Sequence, residues 1–114
     1  MTEIGDDAFK GCTNLTSIVI PSNVTKIGGW AFNGCTSLTS IEIPGNVTKI
    51  GDGAFAGCTS LKDIYLEQTT PLVFSEYAFD GLDKNKVTMH VPKGVGEAYR
   101  NSEYYRGFKN IIEE

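Results

Sequence analysis

Apolar positions recur along the chain with a fixed beat: Leu15, Ile18 and Ile20 are followed by Leu38, Ile41 and Ile43, then by Leu61, Ile64 and Leu66. Within each set the apolar residues alternate with polar ones, which predicts a short strand with one buried face. A second apolar set precedes each strand. Ile4, Ala8, Phe9 and Cys12 are copied at Ile27, Ala31, Phe32 and Cys35, and again at Ile50, Ala54, Phe55 and Cys58. The stretch from Ile4 to Lys26 and the next, from Ile27 to Lys49, differ only at Asp6/Gly29, Asp7/Trp30, Lys10/Asn33, Asn14/Ser37, Val19/Glu42 and Ser22/Gly45. The differing positions point outward; the identical apolar ones form inward columns. Self-similarity at this fixed period predicts a stacked solenoid in which each strand lies ~4.8 Å from its counterpart.

The third copy keeps its core through Leu66 and then departs, with Glu67 to Val73 in place of the Pro-x-Asn-Val stretch. Register slips by one residue. Ala78, Phe79 and Gly81 answer Ala54, Phe55 and Gly57, Leu82 stands where the Cys would be, and Val87 to Val91 reads as a fourth strand. Asp83 to Lys86 reads as a solvated loop before it. After Pro92 the pattern stops. A short amphipathic helix is expected around Val95 to Ser102, then a turn with Tyr105 and Phe108 and a last extended stretch at Ile111 and Ile112. The expected layout is repeats over 1–92 (4–26, 27–49, 50–72 and an irregular 73–92), followed by a C-terminal cap over 93–114.

The spacing L-x-x-I-x-I falls in the leucine-rich-repeat range, with Asn23 and Asn46 placed to hydrogen-bond neighbouring backbone and Thr69 at that position in the third copy. The rest of the unit, carried by Ile20-Pro21, Val24, Ile27-Gly28, Ala31-Phe32 and Gly34-Cys35, resembles the BspA-like, or Treponema pallidum type, leucine-rich repeat. That resemblance covers roughly residues 4–92 and implies a short, mainly β leucine-rich-repeat solenoid of about four repeats with a small helical C-terminal cap. The ending, from Val91-Pro92 through Tyr99 and Tyr105 to Phe108 and Ile111, resembles the close of many Bacteroidetes surface proteins. It implies a secreted or cell-surface parent.

One unit alone cannot fold. Ordering its backbone costs at least ~1 kcal/mol per residue, and a handful of buried side chains returns roughly 1.5–3 kcal/mol apiece. Stacking supplies the missing burial. The chain opens inside the repeat at Ile4 with no polar cap before it, which reads as a piece of a longer protein. The lack of a signal peptide then says nothing about location. The first strand should offer an uncovered edge, and weak self-association through the N-terminal repeat is expected.

The formal charge of −4 divides into −3 over residues 1–72 and −1 over 73–114, with no basic cluster along the sequence. Nucleic acid and membrane insertion are therefore not expected. Cys12, Cys35 and Cys58 recur at the repeat period, which reads as a column of buried free thiols. With no Cys-x-x-Cys pair or second histidine, neither a metal, a cofactor nor catalysis is expected. The N-x-S/T triplets at Asn14, Asn23 and Asn46 largely restate the repeat.

Strand alternation puts Val19, Glu42, Tyr65 and His90 in one outward row, Ser17, Ser40, Asp63 and Thr88 in the next, and Glu67 in the column of Pro21, Pro44 and Pro92. On a solenoid this is the concave face. Glu42, Asp63, Tyr65, Glu67 and His90 are the candidate binding residues, against the alternative of an ordinary solvated sheet. Trp30 and Tyr77 share a column with Asp7 and Gly53 on which the core makes no demand. Either Trp30 folds across Gly53, or it is an exposed anchor. The expected role is a protein-binding or adhesion module with a host or cell-surface ligand. The alternatives are a carbohydrate-binding module, with Tyr65 and Trp30 stacking on sugar rings, or a spacer without its own ligand.

Overall fold

The computed structural model describes residues 2–74, 77–102, 105, 107–108 and 110–114. Its elements in chain order are β1 (Glu3–Ile4), β2 (Lys26–Ile27), β3 (Ser40–Ile43), β4 (Lys49–Ile50), β5 (Asp63–Leu66), β6 (Thr88–Val91), α1 (Gly96–Asn101) and β7 (Asn110–Glu113). The chain winds as a mainly β solenoid with one short helix. Its main sheet is parallel, in the order β3-β5-β6-β7, and its register carries Ser40 opposite Asp63, Asp63 opposite Thr88 and Thr88 opposite Asn110. Because side chains alternate across a strand, Ile41, Ile64, Met89 and Ile111 all fall inside.

A second sheet, not foreseen from the sequence, runs along another side. There β1, β2 and β4 pair in parallel through Glu3-Ile4, Lys26-Ile27 and Lys49-Ile50, and an isolated bridge joins Ile50 to Phe74. Two residues per strand leave no alternation to read. The glycines after Ile27 and Ile50 permit the close approach of successive coils: a Cβ on Gly28 would lie 2.6 Å from the backbone nitrogen of Asp6, while the Gly28 N–H donates to Ile4 O at 2.7 Å.

On the third side the turns are laddered as well. Phe9, Phe32 and Phe55 donate their N–H groups to Ala31, Ala54 and Ala78 at 2.7–2.9 Å. Their rings stack through the core with centroids 5.3, 5.4 and 5.8 Å apart from Phe9 to Phe79. Each coil is thus bonded to the next on all three sides, and the solenoid is held by contacts between repeats.

The structure departs from the expected pattern in three places. Leu15 to Ile20 is not part of the main sheet; it touches the next coil through Thr39, whose N–H donates to Thr16 O at 3.2 Å. With a neighbour on one side only, the segment lacks the second ladder that holds β5 and β6. The asparagine position of the third copy is filled by Gln68 instead of Thr69. Asn46 Nδ2 reaches Ser22 O at 2.7 Å, whereas Gln68 Nε2 reaches Pro44 O at 2.7 Å and Val47 O at 3.1 Å. The longer side chain, set one residue earlier, recovers the same bond across the register slip. Third, Cys12 is half-buried, unlike Cys35 and Cys58, because it begins the column with a neighbour on one side only.

The C-terminal residues brace the irregular third coil. Tyr99 and Tyr105 are fully buried, and their hydroxyls donate to Gln68 O and Leu72 O at 2.6 Å each. Phe74, Phe79 and Phe108 meet edge to face. The Glu113 carboxylate accepts the N–H groups of Gly94 and Gly96 at 3.0 Å, and those bonds hold it below the usual carboxylate range.

Candidate binding face

The outer face of the main sheet is built by the same alternation that fills the core. Register sets Glu42 opposite Tyr65, Tyr65 opposite His90 and His90 opposite Ile112. The Tyr65 and His90 rings stack, with centroids 4.2 Å apart and planes 15° from parallel. His90 Nε2 lies 2.8 Å from Asp63 Oδ1 and Nδ1 lies 2.7 Å from Glu114 Oε1. Each ring nitrogen of His90 thus faces one carboxylate oxygen. His90 is thereby locked in place, its side chain only 14% exposed.

Tyr65 is 37% exposed and sits beside this fixed ring. Together with Glu42, Glu67, His90, Pro92 and Glu114 it lines an open depression of about 380 Å³ at the C-terminal ends of the strands. Of the residues singled out from the sequence, Glu42, Asp63, Tyr65, Glu67 and His90 come together on this face. Val19, 90% exposed, belongs to the segment outside the sheet. Glu114 and Ile112 complete the patch and were not singled out; the alternation Asn110-Ile111-Ile112 was the available signal.

Trp30 and Tyr77 lie elsewhere, in the turns that follow the short strands. Their column is not free of constraint: Asp7, Trp30, Gly53 and Tyr77 have φ of 60°, 58°, 63° and 68°. The turn demands left-handed backbone, which glycine adopts at no steric cost and other residues at ~1–2 kcal/mol. Trp30 covers Gly53, where an added Cβ would meet the indole, and remains 40% exposed. Trp30 lies in a turn, whereas Tyr65 lies on the main sheet.

The cysteines are free. Cys35 and Cys58 donate to Phe9 O and Phe32 O at 3.2 and 3.1 Å. Burial pushes the Cys58 thiol up to about 12 and raises Cys35 as well, so both are held as unreactive thiols. Among the described residues no three His, Cys, Asp or Glu side chains could hold a metal ion, and no helix is long and apolar enough to cross a membrane.

Parallel strands at a fixed period, an Asn/Gln rung bonding the previous coil, and a cysteine column define a leucine-rich-repeat solenoid. The chain belongs to the family described as BspA type leucine rich repeat region (6 copies), which matches residues 1–106. No curated protein matches it.

Proposed function

We propose that the chain is a protein-binding module, part of a secreted or surface-attached bacterial adhesin, and that the C-terminal end of its main sheet carries the contact. The observation behind this reading is the exposed Tyr65 ring held against His90, with Glu42, Glu67 and Glu114 around it. A rigid aromatic anchor inside a polar rim is the arrangement of interface hot spots. It loses little side-chain entropy on binding, because the stack and the two carboxylate bonds have already ordered it. Non-enzymatic recognition fits a face whose only histidine is fully engaged.

The test is surface plasmon resonance against purified extracellular-matrix and cell-surface proteins, with Tyr65→Ala and Glu42→Lys beside the native chain. A saturable ligand should lose at least tenfold in affinity on either change. A ligand whose binding ignores both, yet is lost on Trp30→Ala, would move the contact to the turn side and overturn the reading.

A further inference from the structure

The opposite end of the same sheet has a different chemistry. A groove of about 750 Å³ lies where β5 and β6 begin. Thr39, Thr59, Ser60 and Thr88 supply hydroxyls along it, and Lys62 and Lys86 stand at its sides. The two lysines are far apart in sequence, but parallel pairing brings them to neighbouring strand starts: Thr88 N–H donates to Lys62 O at 2.7 Å. Among the described residues neither ammonium has a carboxylate within salt-bridge distance. The carboxylate in the groove, Asp63, is turned to His90 at 2.8 Å. Lys84, in the same loop as Lys86, is committed to packing, with its ammonium 5.2 Å from the centre of the Phe108 ring.

We infer that this groove is a binding site for a sulfated oligosaccharide, with Lys62 and Lys86 neutralising a sulfate and the Thr/Ser hydroxyls meeting the sugar hydroxyls. The Thr39 hydroxyl donates to Thr16 O at 3.4 Å and can still accept, while those of Thr59, Ser60 and Thr88 both donate and accept, which matches a ligand carrying many hydroxyls of its own. Among the described residues no aromatic ring lines the groove to anchor a protein side chain or stack on an uncharged sugar. The lysines are point charges, suited to a compact anionic group and lacking the planar fork that arginine offers. The volume lies within the range of small-molecule sites, about 300–1,000 Å³. Charge is thus divided along the strands, with free ammonium groups at their starts and Glu42, Glu67 and Glu114 at their ends.

The experiment is an amide-shift titration of the whole chain with a sulfated tetrasaccharide, its desulfated parent, inorganic sulfate and a phosphoserine peptide. The sulfated sugar should shift Thr39, Thr59 to Asp63 and Lys86 to Thr88. Its affinity should fall at least tenfold in the Lys62→Gln/Lys86→Gln variant, whose melting temperature should match the native one because both side chains are exposed. Raising the salt to about 0.5 M should weaken the binding, since exposed charges are screened within several ångströms. Equal affinity for the desulfated sugar, for sulfate alone or for the phosphopeptide would overturn the assignment. So would shifts centred on Tyr65, or an unchanged affinity in the double variant.

Discussion

Trp30 occupies the space that a side chain on Gly53 would need: a Cβ added there would lie 2.6 Å from Cδ2 of the indole. Gly53 also has φ of 63°, so an alanine meets two penalties at once, left-handed backbone and a displaced ring. Gly53→Ala should cost ~1–2 kcal/mol from the backbone alone and should red-shift the fluorescence of the only tryptophan. Trp30→Gly relieves the backbone cost and should be milder. A Gly53→Ala variant with native melting temperature and emission would contradict this packing.

The phenylalanine ladder predicts graded losses. Phe32 is fully buried between Phe9 and Phe55, so Phe32→Ala should cost ~3–5 kcal/mol by urea unfolding. Phe9 is half-buried and stacks on Phe32 alone, and its alanine variant should lose clearly less. Equal losses would show that the stack is not the source. By the same logic residues 1–49 by themselves should show no cooperative melt.

Thiol chemistry should separate the cysteines. Cys12 should react with a thiol reagent in the native state, while Cys35 and Cys58 should wait for denaturant. The alkaline limb of stability follows from burial. Cys58 is raised from 9.0 and Tyr99 from 10.0, each to about 12, so unfolded chains lose these protons first. Their contribution is complete below about pH 9 and lost as pH rises from 9 towards 12. Cys58→Ala should flatten that decline, and a native-like slope in the variant would remove the thiol from the account.

The first coil should self-associate. Phe9, Leu15 and Ile18 are only partly buried and Val19 is 90% exposed, whereas Tyr99, Tyr105 and Phe108 occupy the far end of the core. Sedimentation should show a concentration-dependent dimer that Val19→Lys weakens. A monomer at all concentrations, with residues 2–15 protected from hydrogen exchange, would show that the first coil covers itself.

The main sheet was legible because repetition turns one strand pattern into several mutually checking ones; Ile64 opposite Met89 follows from aligning copies, even across the one-residue slip. The left-handed column was not, since a backbone angle leaves no mark on the side-chain choice when Trp30 and Tyr77 occupy it beside Gly53. Glu114 reaches His90 from beyond the repeat, where no copy exists to suggest the pairing. Nothing in the sequence joins Lys62 to Lys86, because their proximity is created by strand pairing. The repeat therefore reveals what all coils share, and the proposed contact residues lie where the coils differ.

The closing strand gives the fold a direction in time. Residues 110–113 pair with 88–91 in parallel, and Arg100 and Glu113 tie α1 to that strand, through Ile111 O and the Gly94 and Gly96 amides. During synthesis the coils can be laid down one upon another, yet the edge of β6 stays bare until residues 110–113 have been made and have left the exit tunnel. A nascent chain stalled before residue 110 would present β6 to its neighbours as an open template.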